Sequence, residues 1–173
     1  MAELGGHRPY LMFPHPILRA KAEPVPDITD TVHTIWEEML RAMYAMPGVG
    51  LAAPQLGLSL RLAVLDCSEG KDQSVRLANP VLVAASSKMQ TYGEGSPNLP
   101  GLYGDVTRPD WVEVRFTDET GTTQERRFTE LWSTSVQHQI DHLEGILFFD
   151  RLTPMRKRKI LDAHRKAKRK KRG

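Results

Sequence analysis

The stretch Gln137-His138-Gln139-Ile140-Asp141-His142-Leu143 decides how the rest of the chain is read. It lies in a run with helical periodicity, and its histidines stand at positions i and i+4. At 3.6 residues per turn these share one face, about one turn apart. Two imidazoles so placed can bind one metal ion. The common pattern at this spacing is H-E-x-x-H, in which the glutamate is the general base beside the metal. Gln139 holds the glutamate position here. A carboxamide does not ionise, so the stretch offers the spacing of a metal site without its base.

Outward toward the C-terminus, the helix is expected to end near Gly145, and Pro154 opens a last helix. From Arg156 to Arg172 there are eleven Lys and Arg against one acid, Asp162. That segment is near +10. The remaining 13 basic and 20 acidic residues leave a body near −7, which the formal net charge of +3 conceals. Ile160, Leu161 and Ala167 are the few apolar anchors of the segment. A pole this basic points to an acidic partner, nucleic acid first. No aromatic residues interleave the basic ones, so contact with phosphates rather than base stacking is expected. We expect one domain over residues 1–155, with 156–173 as its basic C-terminal helix.

Outward toward the N-terminus, Thr129 can cap the histidine helix. Trp111 to Phe116 alternates at period two, Asp118-Glu119-Thr120-Gly121 reads as a hairpin turn, and Thr123 to Phe128 as the return strand. Gly93 to Gly104 is rich in Gly and Pro and is expected to be irregular. Met89 to Gly93, Val81 to Ala85, Val75 to Ala78 and Arg61 to Asp66 read as strands, with Asn79-Pro80 separating two of them. Gly48 to Gln55 has two open readings: a plain loop between helix and strand, or a loop whose backbone meets a substrate. Ile28, Val32, Ile35, Met39 and Met43 mark a helix capped by Asp27 or Thr29 and ending near Met46. Before it, Pro9, Pro14, Pro16, Pro24 and Pro26 predict extended chain, with Ile17 and Leu18 buried.

The totals agree with one soluble domain. The chain has 173 residues, 40% of them hydrophobic and 26% charged, which suffices for one core. No apolar run approaches the ~20 residues that span a bilayer. No apolar stretch follows a basic start, so no secretory leader is expected. The single cysteine, Cys67, precludes an intrachain disulfide and fits a reducing compartment. A cytoplasmic location is expected, and Cys67 is read as a small packed residue.

Three segments, taken together, resemble the peptide deformylase family. The family pattern G-φ-G-φ-A-A-x-Q matches Gly48-Val49-Gly50-Leu51-Ala52-Ala53-Pro54-Gln55 throughout. The pattern E-G-C-L-S falls on Glu94-Gly95-Ser96-Pro97-Asn98, and Q-H-E-x-D-H on Gln137 to His142. Pro100-Gly101, Arg108-Pro109 and Leu147 to Leu152 resemble the family as well, so the likeness covers nearly the whole chain. It implies an α+β fold: antiparallel strands around a central helix bearing the metal-site histidines, with a basic C-terminal helix outside. It implies the family reaction, metal-dependent hydrolytic removal of the formyl group from the N-terminal formylmethionine of nascent chains. Iron(II) or zinc is held there by the motif cysteine and both histidines, with water in the fourth position. The glutamate moves protons. The glutamine and the N–H after the cysteine donate to the formyl oxygen.

Carried over residue by residue, the resemblance makes His138, His142 and Ser96 the metal positions and Gln139 and Gln55 the catalytic ones. Gly48, Val49, Gly50 and Gly95 become substrate-binding positions. It implies nascent peptide N-termini as partners and a monomer. In some bacterial members the C-terminal helix docks on the ribosome, and the basic tail holds that place.

Three of these positions depart from the family. Ser96 offers a neutral hydroxyl where a thiolate belongs. Gln139 cannot act as a base. Pro97 has no N–H to donate. Weak or absent metal binding is therefore expected, together with impaired or absent deformylase activity. Gln55 is left as the one side-chain donor to the oxyanion. Two alternatives stay open: an active metal hydrolase with altered ligands and a different N-acyl substrate, and a non-catalytic ribosome- or RNA-binding module. Glu94, on the same side of an extended segment as Ser96, is a candidate carboxylate ligand. Asp141 is expected to pack beside its own helix. His7, His15 and His164 are expected to be solvated, and His33 to be exposed or at the edge of the core.

Overall fold

The computed structural model describes residues 8–173; the reading of His7 lies outside them. The chain first runs extended through a 3₁₀ turn at Pro16–Arg19. Leu18 is buried there, whereas Ile17 is only half-buried. Helix α1 (Asp30–Ala45) follows, its first turn capped by the Thr29 hydroxyl, which accepts from the Val32 N–H. Its apolar positions Val32, Ile35, Trp36, Met39, Leu40 and Met43 recur at three- and four-residue steps and are all buried.

After it come β1 (Gly50–Ala52), β2 (Leu62–Leu65), β3 (Val75–Ala85), β4 (Met89–Ser96), β5 (Leu99–Pro109), β6 (Trp111–Thr117) and β7 (Thr123–Thr129). Strands β1, β2, β3, β6 and β7 form one antiparallel sheet in that order, and β4 and β5 form a separate hairpin. Helix α2 (Glu130–Leu143) carries the histidines, and α3 (Pro154–Lys170) closes the chain. The fold is α+β.

Alternation along β2 explains why the sheet has helices on both faces. Leu62 and Val64 join the α1 side of the core, while Ala63 and Leu65 join Val136 and Ile140 of α2. From Ser133 to Leu143 every residue of α2 is buried, polar ones included. A helix with that many buried polar groups needs partners for each, and these partners build the site described below. A third apolar cluster of Leu18, Leu99, Val106, Leu147, Phe148, Phe149 and Ile160 ties the hairpin to the base of α3. Beyond His164 α3 leaves the body, and Arg165 to Gly173 are exposed throughout.

The structure corrects several expectations. Gly93 to Gly104 is not irregular: Gly93 pairs with Asp105, Glu94 with Gly104 and Gly95 with Tyr103 across the β4–β5 ladder. Its glycines mark close approach instead. A Cβ on Gly95 would stand 2.5 Å from the Tyr103 ring. Asn79-Pro80 does not separate two strands but forms a bulge within β3. Asn79 takes φ 51. Its side chain brackets the Val25 backbone, accepting from the N–H and donating to the C=O, each at 2.8 Å. Pro80 sits where the ladder is already interrupted, so its missing N–H is harmless. Gly48 to Gln55 is neither plain loop nor wholly irregular, since it contains β1 and a 3₁₀ turn at Ala53–Leu56. Thr129 takes the cap position of α2, but its hydroxyl makes no cap hydrogen bond. His164 is half-buried edge-on against Phe13, with ring centroids 5.3 Å apart. His15 is exposed, as expected.

Candidate active site

Helix α2 lies between the sheet and the β4–β5 hairpin, and the site is built where the three meet. His138 and His142 stand one turn apart with their Nε2 atoms 3.1 Å from each other. The other ring nitrogen of His138, Nδ1, lies 2.7 Å from Glu94 Oε1 on β4. Arg108 on β5 donates to both oxygens of Glu94, at 2.7 and 2.9 Å, and to Asp141 Oδ2 at 2.9 Å. Arg151 in turn donates to both oxygens of Asp141, at 2.6 and 3.0 Å. Asp141 therefore does not merely pack beside its own helix. It ties α2 to the hairpin and to the segment before α3.

Burial alone would raise the Glu94 carboxyl pKa, but hydrogen bonds from His138 and Arg108 outweigh it and hold it below its ordinary value. Burial likewise works against a charged Arg108, and its carboxylate partners more than offset that. With Glu94 ionised, His138 Nδ1–H donates to it, and His142 Nε2–H donates to the free lone pair on His138 Nε2. His142 is 1% exposed. Burial first, then the neighbouring His138 and Arg108, keeps its pKa well below the usual imidazole value. Its Nδ1 has no partner among the described residues, which suits a bare lone pair better than an N–H.

On the opposite side of His138 lies a neutral cluster. Gln55 Nε2 donates to Asn98 Oδ1 at 2.9 Å and to Ser96 Oγ at 3.3 Å. The Ser96 hydroxyl donates to the same Asn98 Oδ1 at 2.9 Å. Backbone groups fix both amides. Gln55 Oε1 accepts from the Ala52 N–H at 2.9 Å, and Asn98 Nδ2 donates to Leu11 O at 2.5 Å and Gln55 O at 3.2 Å. Gln55, the expected side-chain donor to the oxyanion, has both of its amide hydrogens engaged in this structure. Asn98, which the sequence offers only as the last position of the second segment, is the hub of this cluster. The available signal was its place where the family pattern carries serine.

A cavity of about 620 Å³ opens beside these groups. Gly48, Val49, Gly50, Gln55, Gly95, Ser96, Pro97, His138 and Gln139 all line it. His142 lies behind His138 and does not. Gly50 is required by contact: a Cβ there would stand 2.5 Å from Ser135 Oγ and 2.6 Å from Gln139 Nε2. The Val49 carbonyl is occupied, accepting from Asp66 N at 3.0 Å and Ser135 Oγ at 3.1 Å. Gln139 is 4% exposed, and its Oε1 is buried without a partner among the described residues.

The donor set can be tested against iron or zinc. The 3.1 Å between the two Nε2 atoms is close to the separation of two nitrogens sharing one metal at bonds of ~2.0–2.1 Å. The remaining groups do not complete such a site. Ser96 Oγ is turned into hydrogen bonds with Gln55 and Asn98, and an alcohol lacks the charge of a thiolate. Among the described residues no group of three or more His, Cys, Asp or Glu is placed to hold a metal ion. Glu94 as third ligand is therefore corrected, because it holds the Nδ1 edge of His138, away from the Nε2 pair. Cys67 is not available either. Its Sγ lies 3.7 Å from Val49 O, and burial pushes its thiol pKa up to about 11.

The sequence pattern of the family described as polypeptide deformylase matches residues 8–158. The peptide deformylase of Hydrogenovibrio crunogenus is 39% identical over 156 residues, covering 90% of this chain and 92% of its own. Among solved structures, a peptide deformylase from Legionella pneumophila superposes with a TM-score of 0.88 at 35% identity, covering 96% of this chain and 98% of its own. That from Thermus thermophilus superposes at 0.84 and 39% identity, covering 91% and 92%. With pattern, relatives and backbone in agreement over nearly the whole length, this chain belongs to the polypeptide deformylase family.

Proposed function

We propose that this protein keeps the peptide-binding cavity of the family but hydrolyses formyl groups poorly or not at all. The observation that carries this reading is that Ser96, Pro97 and Gln139 line one cavity with His138, so the three departures bear on one reaction. In the family the metal supplies an activated water. Here the donor set argues for weak or absent iron(II) or zinc binding. Loss of a general base costs ~10²–10⁴-fold, and loss of an oxyanion donor ~10²–10³-fold. Residues acting as a unit are not additive, so these factors are not multiplied. The larger single loss alone makes the enzyme marginal, and the ligand change at Ser96 comes on top.

The test is an anaerobic assay on formylmethionyl peptides with iron supplied. Turnover below about 1 per second is expected, and a rate in the ordinary range of roughly 1–10³ per second would sink the proposal. Metal analysis of the purified protein separates the active-hydrolase alternative, which requires stoichiometric metal that is lost in His138→Ala.

A second reading concerns α3. Of its basic side chains only Lys157 and Arg165 pair with a carboxylate among the described residues, at 2.8 and 3.2 Å. The rest form an exposed cationic rod suited to a phosphate backbone. This supports ribosome or RNA binding through the tail, by a cytoplasmic monomer that meets nascent N-termini. No helix among the described residues is long and apolar enough to cross a membrane. Co-sedimentation with ribosomes should fall steeply with salt and disappear when residues 165–173 are removed. Binding indifferent to both changes would dismiss this reading.

A further inference from the structure

We infer that Gln139 serves as a hydrogen-bond donor that selects peptides with a blocked, N-acylated end over those with a free amino end, so that the cavity holds a formylated end without cleaving it. The inference rests on the proposal that the cavity binds peptide N-termini, and it assigns the group that reads them.

A formyl cap changes a peptide end in two ways. It removes the charge of the amino group, and it adds a carbonyl oxygen that needs a donor. The side chains of Gln55 and residues 96–98 give that oxygen nothing. The two hydrogens of Gln55 Nε2 go to Asn98 Oδ1 and Ser96 Oγ. The Ser96 hydroxyl hydrogen goes to Asn98 Oδ1, and Pro97 carries no N–H.

Gln139 lines the same cavity with the opposite disposition. Its Oε1 is buried and has no partner among the described residues. Its Nε2 reaches the cavity and is likewise without a partner among them, so its hydrogens are open to a ligand. Gly50 leaves room for this nitrogen, since a Cβ there would stand 2.6 Å from it. Turning the amide over would bury two unpaired hydrogens in place of one oxygen, and an orphaned buried N–H is the rarer arrangement. An ionised glutamate at this position would offer lone pairs only, whereas glutamine offers hydrogens. The residue that takes away a base therefore supplies a donor.

The same surroundings are poor for an ammonium group. Among the described lining residues Glu94 is the one carboxylate, and it is 5% exposed. Its oxygens are taken up by Arg108 and His138. A free amino end would meet the hydrogens of Gln139 and give up hydration without a free countercharge.

The experiment is calorimetric titration of the full-length protein with three short peptides. One begins with formylmethionine and one with free-amine methionine. The third is a desamino form, which has neither the charge nor the formyl oxygen. The formyl peptide should bind about tenfold more tightly than the free amine. It should bind about fivefold more tightly than the desamino form, the share that one neutral hydrogen bond supplies. It should also be recovered intact. Gln139→Leu and Gln139→Met each remove the donor at similar volume, and circular dichroism shows which of them is folded. There the formyl peptide should weaken to the desamino level while the desamino peptide is unmoved. If the unaltered protein binds the formyl peptide no more tightly than the free amine, this inference is overturned while peptide binding stands. A formyl advantage over the desamino form that persists without the donor overturns the role of Gln139. Cleavage of the formyl peptide during the titration overturns the proposed function, and with it the holding of an uncleaved end. Binding of none of the three overturns the inference and the peptide-binding cavity together.

Discussion

Two polar clusters flank His138, and they are built from different materials. On the Nδ1 side stand Glu94, Arg108, Asp141 and Arg151, four ionised groups in one hydrogen-bonded chain. On the cavity side stand Gln55, Ser96 and Asn98, which are neutral and satisfied by one another and by backbone. The charged cluster aims the imidazole and joins helix to hairpin. Removing Arg108 or Glu94 would leave its buried partner short of a countercharge, so the cluster behaves as scaffold. The neutral cluster holds no ionised group, and the donor hydrogens of Gln55 and Ser96 are engaged within it. The two clusters are built from different groups, so each can be altered without touching the other.

The strongest way to break the contrast is Arg108→Met, which leaves Glu94 and Asp141 each short of a buried partner. Urea unfolding should show a loss of ~3–5 kcal/mol; a loss below about 1 would mean the charged cluster is not the scaffold. The matching change in the neutral cluster, Gln55→Leu, should cost less, ~1–3 kcal/mol, because it strands neutral hydrogen-bonding groups only. A larger loss than for Arg108→Met would reverse the comparison. The contrast can also be sharpened by restoring charge on the cavity side. Ser96→Cys combined with Gln139→Glu should raise zinc retained after dialysis by at least about tenfold, the direction expected when a thiolate replaces an alcohol. Unchanged metal content would show that Asn98 and Pro97 suffice to keep the site closed.

The smallest effect lies outside both clusters, at Asp150. Burial alone would raise its pKa, but hydrogen bonds from Arg19 and Lys157 bring it to about 2. A depressed acid stabilises the fold above its unfolded value of ~3.9 and loses that contribution as pH falls toward the folded value. Asp150→Asn should therefore lower stability above pH 5 by a nearly constant amount, and that difference should shrink between about pH 4 and 2, flattening the acid limb. The side chains are partly solvated, so the change is modest.

Helix α1, the β6–β7 hairpin and the ends of α2 were readable because their signals are local: periodicity, a capping threonine, a turn, a glycine after the last helical residue. Gly145 shows how far that carries. Its place at the helix end is visible in the chain and its left-handed φ of 76 is a local reason for glycine, but a second reason is tertiary, since a Cβ there would lie 2.3 Å from Arg19 O. The β4–β5 hairpin was misread for a related cause. Gly and Pro usually punctuate structure, yet here glycines allow Tyr103 and Leu152 to lie against strand backbone.

By itself the sequence determined the family, the α+β class, the basic pole and the three departures at Ser96, Pro97 and Gln139. Each is a matter of residue identity or short spacing. Only the tertiary structure decided that Glu94 grips the far edge of His138 rather than a metal, that Asp141 spans to the hairpin, and that Asn98 immobilises Gln55. Those contacts join residues 44, 33 and 43 positions apart. Hydrogen-bond partners at that separation are set by how strands and helices pack, and no local pattern encodes which lone pair a given N–H will find.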